Sequence, residues 1–202
     1  GYHLILLAKN ATGYHNLMKL VSYGYIDGYY YRPRIDKELL EKYHEGLIAC
    51  AACLGGEVQQ HILAGDVQKA EETVLWFKNL FGDDYYLEIQ RHRSTDPLAD
   101  HSLIEEQEKV IQTVVPLAKK HGLKYVATND VHFVNEEDAE AHDRLLCINT
   151  GTLVATEHRM RYSKQEWFKS PEEMAALFAD YTEGLETSLE IADKIETYKI
   201  DC

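Results

Sequence analysis

Two spacings of apolar residues alternate along the chain. Apolar runs of strand length occur at residues 3–8 (HLILLA), 46–52 (GLIACAA), 85–90 (YYLEIQ) and 124–130 (KYVATND), with a shorter one at 159–163 (RMRYS). Between them apolar residues recur every three or four positions, which places them on one side of a helix. Residues 13–26 carry Leu17, Leu20 and Val21 in this way, and residues 67–82 carry Val67, Ala70, Val74 and Phe77 before Gly82 stops the helix. A third helix is predicted over 102–122, with Ser102 as N-cap, Glu105 completing a capping box, Gly122 as the stop and Pro116 as the place for a kink. A fourth opens with Ser170 as cap, Pro171 at the first helical position and Glu173 three residues after the cap; it breaks near 180–182 and resumes with Leu185, Leu189 and Ala192 as its apolar stripe. Strands alternating with helices predict an α/β fold built from β/α units, in which chemistry gathers at the carboxyl ends of the strands.

Composition and charge narrow the functional classes. A chain of 202 residues that is 45% hydrophobic can bury a core without staples. The four cysteines, Cys50, Cys53, Cys147 and Cys202, agree with a reducing compartment. Asp and Glu number 34 against 21 Lys and Arg, so a net charge of −13 opposes a phosphate backbone, and contact with DNA is expected only through other domains. No 18-residue apolar run is present, and the opening GYHLILLAKN lacks the basic lead of a secretory signal, so no membrane partner and a cytoplasmic location are expected.

Candidate chemistry sits at the predicted strand ends. In VATNDVHFV, Asp130 and His132 are two residues apart, and in an extended chain both project from one face. A turn or cap also explains an Asn-Asp pair after an apolar run. Cys53 follows the second strand, and Gln90, Arg91 and His92 follow the third. Cys50 and Cys53 have the spacing of half a zinc knuckle, but no second such pair follows, and a strand rather than a helix leads into them. GYGYIDG and CLGGE lack the pattern of a phosphate-cradling loop. Tyr29, Tyr30 and Tyr31 beside Arg32 and Arg34 suit base stacking, although Pro33 favours a packed loop. His142 lies on a stretch that, if helical, brings it near the Asp130 end.

The segments HLILLAKNATGYHNLMKLVS, YYYRPRIDKELL, CLGGEV, YYLEIQRH, YVATNDVHFV, LLCINTGTLV and RYSKQEWFKSPEEMAALF occur in this order. Together they resemble the PHP (polymerase and histidinol phosphatase) domain of bacterial replicative DNA polymerase III alpha subunits. The resemblance implies a distorted TIM-like (β/α) barrel whose strand ends hold divalent metal ions, zinc or manganese, with magnesium a third candidate. By the same resemblance the metal ligands are His3, Cys53, Asp130 and His132, with His92 unassigned. It divides the chain into PHP units over 1–163 and a helical segment over 164–202 leading toward a polymerase palm. The family's opening His-x-His strand and its Asp-His-Gly turn do not precede His3, so the chain corresponds to the later part of a barrel that usually needs about 250 residues. The implied function is that of a metal-dependent phosphoesterase or proofreading site within a DNA-directed DNA polymerase, its partners the rest of the alpha subunit and an exonuclease subunit. A non-catalytic docking module and a stand-alone phosphatase of the superfamily are the alternatives. With part of the ligand set, the chain alone is expected to hold one metal weakly and to show no activity.

Overall fold

The computed structural model describes residues 1–97, 99 and 101–200 of the chain. Four of the five predicted strands form one sheet in sequence order: β1 (Ile5–Ala8), β2 (Leu47–Cys50), β3 (Tyr85–Gln90) and β4 (Lys124–Thr128). β2, β3 and β4 run parallel, with Cys50 beside Tyr86 and Gln90 beside Thr128. β1 is antiparallel to β2, pairing Ile5 with Cys50 and Ala8 with Leu47. The connection between them, α1 (Ala11–Ile26) and α2 (Lys37–Tyr43), therefore returns the chain to the same end of the sheet at which β1 finished. Asn10 caps α1 by accepting from the Gly13 N–H at 3.0 Å. A Cβ on Gly13 would lie 1.8 Å from the Gly46 carbonyl oxygen, so only glycine lets α1 lie this close to the turn into β2.

The alternation along the strands separates two faces. Leu47, Ala49, Tyr85, Leu87, Ile89, Tyr125 and Ala127 join the main core beneath α3 (Glu57–Leu63), α4 (Val67–Phe81) and α5 (Ser102–His121). On the other face Ile48, Cys50, Tyr86 and Val126 pack with Ile191 of α8 (Thr182–Asp193). Toward the carboxyl ends of the strands that second face turns polar, through Glu88, Gln90 and Thr128. This layout, an α/β sheet with helices packed over it, agrees with the α/β fold that the alternation of strands and helices predicts.

Several local expectations change. Residues 159–163 form no strand; the Arg159 guanidinium is committed to Asp143, and the next segment takes the place beside β4, with the Asn129 amide donating to the Gln165 and Trp167 carbonyls at 2.8 and 2.7 Å. α5 begins at Ser102, which moves the cap position to His101, whose side chain makes no capping bond. Gly122 ends that helix in the left-handed conformation, and Pro116 is accommodated inside it. The box at Ser170 and Glu173 is formed as predicted, opening α7 (Pro171–Leu177). Together α7 and α8 pack back on the sheet: Gly184 lies against the Tyr125 ring, and the Arg91 guanidinium grips Asp180 between the two helices. Among the described residues no helix is long and apolar enough to cross a membrane. Cys50, Cys53 and Cys147 are free, and Cys202 lies outside the described residues.

Candidate metal centre

Two of the strand ends are shaped by backbone that L-residues adopt at a cost. Ala52 has φ +65° just past β2, and Asp130 has φ +44° just past β4. The first turn aims the Ala52 N–H at the buried Glu88 carboxylate, at 2.9 Å, and leaves Cys53 partly exposed. Glu88 also accepts from Thr128 Oγ1 at 2.5 Å and Gln90 Nε2 at 3.2 Å, so one carboxyl ties β2, β3 and β4 together beneath the site. Burial pushes its pKa up; the Thr128, Ala52 and Gln90 donors offset part of that rise, and Asp130 adds to it.

The structure places the four candidate ligands in two pairs. His3 Nδ1 lies 3.2 Å from Cys53 Sγ. The His3 N–H donates to the Gly55 carbonyl at 2.9 Å, and the ring lies so close to Gly55 that a Cβ there would come within 3.0 Å of Nδ1. His132 Nε2 lies 3.6 Å from Asp130 Oδ1. Cys53 and Asp130 line a common cavity of about 340 Å³ with Gln90, His92, Arg161, Tyr162 and Glu166. Burial raises the Cys53 thiol pKa, the Gly55 N–H counteracts this, and Asp130 raises it further. Among the described residues no three His, Cys, Asp or Glu side chains converge closely enough to hold an ion between them.

His92, which the sequence leaves unassigned, is fully engaged as a structural residue. Its Nε2 bonds the Asn129 carbonyl oxygen at 2.9 Å, and Gln107 grips it from α5, accepting from its backbone N–H at 2.8 Å and donating to Nδ1 at 2.9 Å. That arrangement selects the Nε2–H tautomer and leaves no lone pair for a metal. His142 does reach the site, on α6 (Ala139–Thr150), its ring centroid 5.6 Å from that of His132 and 5.1 Å from that of Tyr162. Burial and the neighbouring His132 lower its pKa, so it stays neutral further into the acid range than a free imidazole. Tyr162 also packs 4.8 Å from His132.

Sequence reasoning missed Glu166. It is 1% exposed and lines the cavity; Oε1 accepts from Ser163 N–H and Oγ at 3.0 and 2.6 Å, while Oε2 has no hydrogen-bond partner. The tyrosine loop also departs from expectation. Tyr25, Tyr29, Tyr30 and Tyr31 are 57–82% exposed rather than packed, because the loop's tight return between α1 and α2 pairs Tyr30 with Arg32 and turns the rings outward. Arg34 stacks over Tyr30, 5.0 Å from its centroid.

Residues 1–92, which include His3 and Cys53, match the PHP domain family. Over nearly its whole length it is similar to DNA polymerase III alpha subunits. It is 47% identical over 200 residues to that of Borreliella burgdorferi, covering 98% of this chain and 17% of the relative. It is 43% identical over 204 residues to that of Campylobacter jejuni, with 96% and 16% covered, and 45% identical over 174 residues to that of Deinococcus radiodurans, with 86% and 12% covered. The chain thus spans about one sixth of the length of the first two relatives.

Proposed function

We propose that this chain forms the metal-binding part of the PHP domain of a cytoplasmic replicative DNA polymerase alpha subunit, and that its strand-end cleft is a divalent-metal phosphoesterase site. The observation that carries the reading is the arrival of Cys53, Asp130 and a buried, half-satisfied Glu166 on one cavity, with His3 and His132 each paired to one of the first two. A mixed set of thiol, imidazole and carboxylate donors suits zinc or manganese, with the carboxylates also suiting magnesium. When bound, such an ion supplies Lewis-acid polarisation of a phosphoryl oxygen.

The chain's own residues prepare the cleft for this. Cys53 must lose its proton to act as a ligand, and His3 Nδ1 at 3.2 Å is positioned to take it. Asp130 adds a carboxylate to the same cavity, and Tyr162 and His142 pack around the His132 ring and fix its orientation. Elemental analysis of the chain equilibrated with zinc or manganese tests the reading: wild type should take up the metal, and Asp130→Asn combined with His132→Ala should take up no more than half as much. Equal metal in the two proteins removes this pair from the site.

The exposed tyrosines favour a second role beside the first. Tyr and Arg are the residues from which protein interfaces draw much of their energy. We assign the Tyr25–Tyr31 surface to docking, against the rest of the alpha subunit or an exonuclease subunit. Polymerase chemistry belongs to segments other than this one.

A further inference from the structure

Two arginines, Arg159 and Arg161, line the cleft together with its carboxylates, and the structure distinguishes them sharply. Arg159 is neutralised: its Nη1 and Nη2 bond both oxygens of Asp143 at 2.7 and 2.5 Å. Arg161 donates only to main-chain oxygens, Nη1 to the Glu157 carbonyl at 2.8 Å and Nη2 to the Thr156 carbonyl at 3.3 Å, and has no carboxylate ion-pair partner among the described residues. A guanidinium has five N–H donors, and these two bonds leave three of them without a partner among the described residues. Arg161 lines both the 340 Å³ cavity and an adjoining one of about 130 Å³, so it stands in the wall the two cavities share.

Nor does the lysine of the smaller cavity duplicate it. Lys164, which also lines the smaller cavity, is paired with Asp96 at 2.9 Å and Glu140 at 2.8 Å. An arginine held in place by two carbonyls, with spare donors and no carboxylate in direct contact among the described residues because Arg159 occupies both oxygens of the neighbouring Asp143, lining a cavity with Cys53 and Asp130, is arranged to receive an anion. Planar, multiple-donor recognition is what guanidinium offers a phosphate.

We propose that Arg161 is the phosphate-binding and specificity-determining residue of the cleft, holding a phosphate group of the substrate while Cys53 and Asp130 hold the cation. The inference rests on the metal-site reading above. The carboxylates of Asp130 and Glu166 repel a phosphate that arrives without a cation, so affinity for the anion should depend on the cation as well as on Arg161. The cavity is at the lower end of the size range of ligand sites, which admits a phosphate with a small attached group.

The test is isothermal titration of inorganic phosphate, and in a separate arm of a deoxynucleoside monophosphate, into the 202-residue chain with and without Mn²⁺, with metal content and melting temperature recorded for every sample. Arg161→Gln removes the charge while keeping donors for the two carbonyls, and Arg161→Lys keeps the charge without the fork. Loss of a charge-assisted contact is expected to weaken phosphate binding about ten- to a hundredfold in Arg161→Gln, with partial recovery in Arg161→Lys and unchanged metal content. Stronger binding of the monophosphate than of free phosphate, with the same dependence on Arg161, assigns the group to a nucleotide; equal binding assigns it to the free anion. Phosphate affinity in Arg161→Gln within twofold of wild type overturns the proposal, as does the absence of phosphate binding by wild type with and without Mn²⁺. If wild type binds no metal yet binds phosphate through Arg161, the metal reading fails and this one stands.

Discussion

Glu88 offers the sharpest test of how the site is built. Its carboxyl is buried on β3 and accepts from the Ala52 N–H, Thr128 Oγ1 and Gln90 Nε2, joining three strands. Glu88→Ala strips the Ala52 N–H and the Thr128 hydroxyl of their acceptor, leaves Gln90 Nε2 only its bond to Thr128 Oγ1 at 3.1 Å, and opens a void. An orphaned buried donor costs about 1–3 kcal/mol and the void adds to it, so a loss of about 3 kcal/mol is expected. For a chain of this size that corresponds to a fall in Tm of about 6–12 °C. Glu88→Gln should behave differently, because its amide oxygen still accepts from Ala52 while its NH₂ turns toward Thr128, and no charge remains buried. Burial sets the folded pKa of Glu88 above its unfolded value of about 4.3. As pH rises past that value the unfolded chain ionises first, so wild type loses stability until pH passes the folded pKa, and the deficit is constant above it. Glu88→Gln has no such term, and it should gain on wild type between pH 5 and pH 8. Thermal unfolding by circular dichroism, in the presence of a chelator, measures both effects. A Glu88→Gln protein as damaged as Glu88→Ala at both pH values, or a difference from wild type that does not change with pH, refutes the reasoning.

Other outcomes follow from the same geometry. Cys50 is buried among Ile48, Tyr86 and Val126, with its thiol pKa pushed up to about 12 by burial and then by Glu88, so Cys50→Ala should leave metal content nearly unchanged while Cys53→Ala lowers it; equal losses would restore the knuckle reading of the pair. Arg91, 2% exposed, binds Asp180 through both Nη atoms at 2.7 and 3.1 Å and contacts Glu108 at 2.7 Å. Arg91→Ala removes a buried side chain and its bonds but leaves Asp180 and Glu108 open to solvent, so it should cost about 1–3 kcal/mol in a denaturant titration, whereas a loss below about 0.5 kcal/mol would show that solvent replaces it fully. With a net charge of −13 the chain should bind duplex DNA only weakly at physiological salt, and a micromolar or tighter complex in a fluorescence titration counts against that.

How much of this was legible in the sequence depended on the range of the interactions. The runs at β2, β3 and β4 are bounded by turn residues and buried on both faces, so their apolar character alone marked them. Asp130 and His132, two residues apart, do lie together at 3.6 Å, but through a left-handed turn at Asp130 and not through the extended chain that their spacing suggested. The approach of His3 to Cys53 spans 50 residues and depends on the antiparallel placement of β1, which no apolar spacing reveals. Helix α2 escaped notice because in its seven residues only Leu40 is buried, too few to repeat a period. Glu166 was invisible for a related reason: on paper it is one acid among 34, and only the burial of its carboxyl beside the cleft sets it apart. The RMRYS segment has the alternation of a strand, but Arg159 found Asp143 instead of a sheet edge.

The left-handed backbone at Asp130 makes two separate demands on one residue. The turn accepts glycine, asparagine or aspartate readily and resists β-branched or bulky side chains, while the proposed ligand role accepts only the carboxylate. Mutational drift away from the site therefore has a narrow exit. Asparagine and glycine preserve the chain path that brings His132 to the cleft while removing the charge, whereas glutamate keeps the charge and strains the turn. A lineage that abandons the metal can do so in one step without disturbing the fold, and one that lengthens the ligand cannot. The turn would outlast the chemistry, remaining as a structural trace of a cleft that no longer binds.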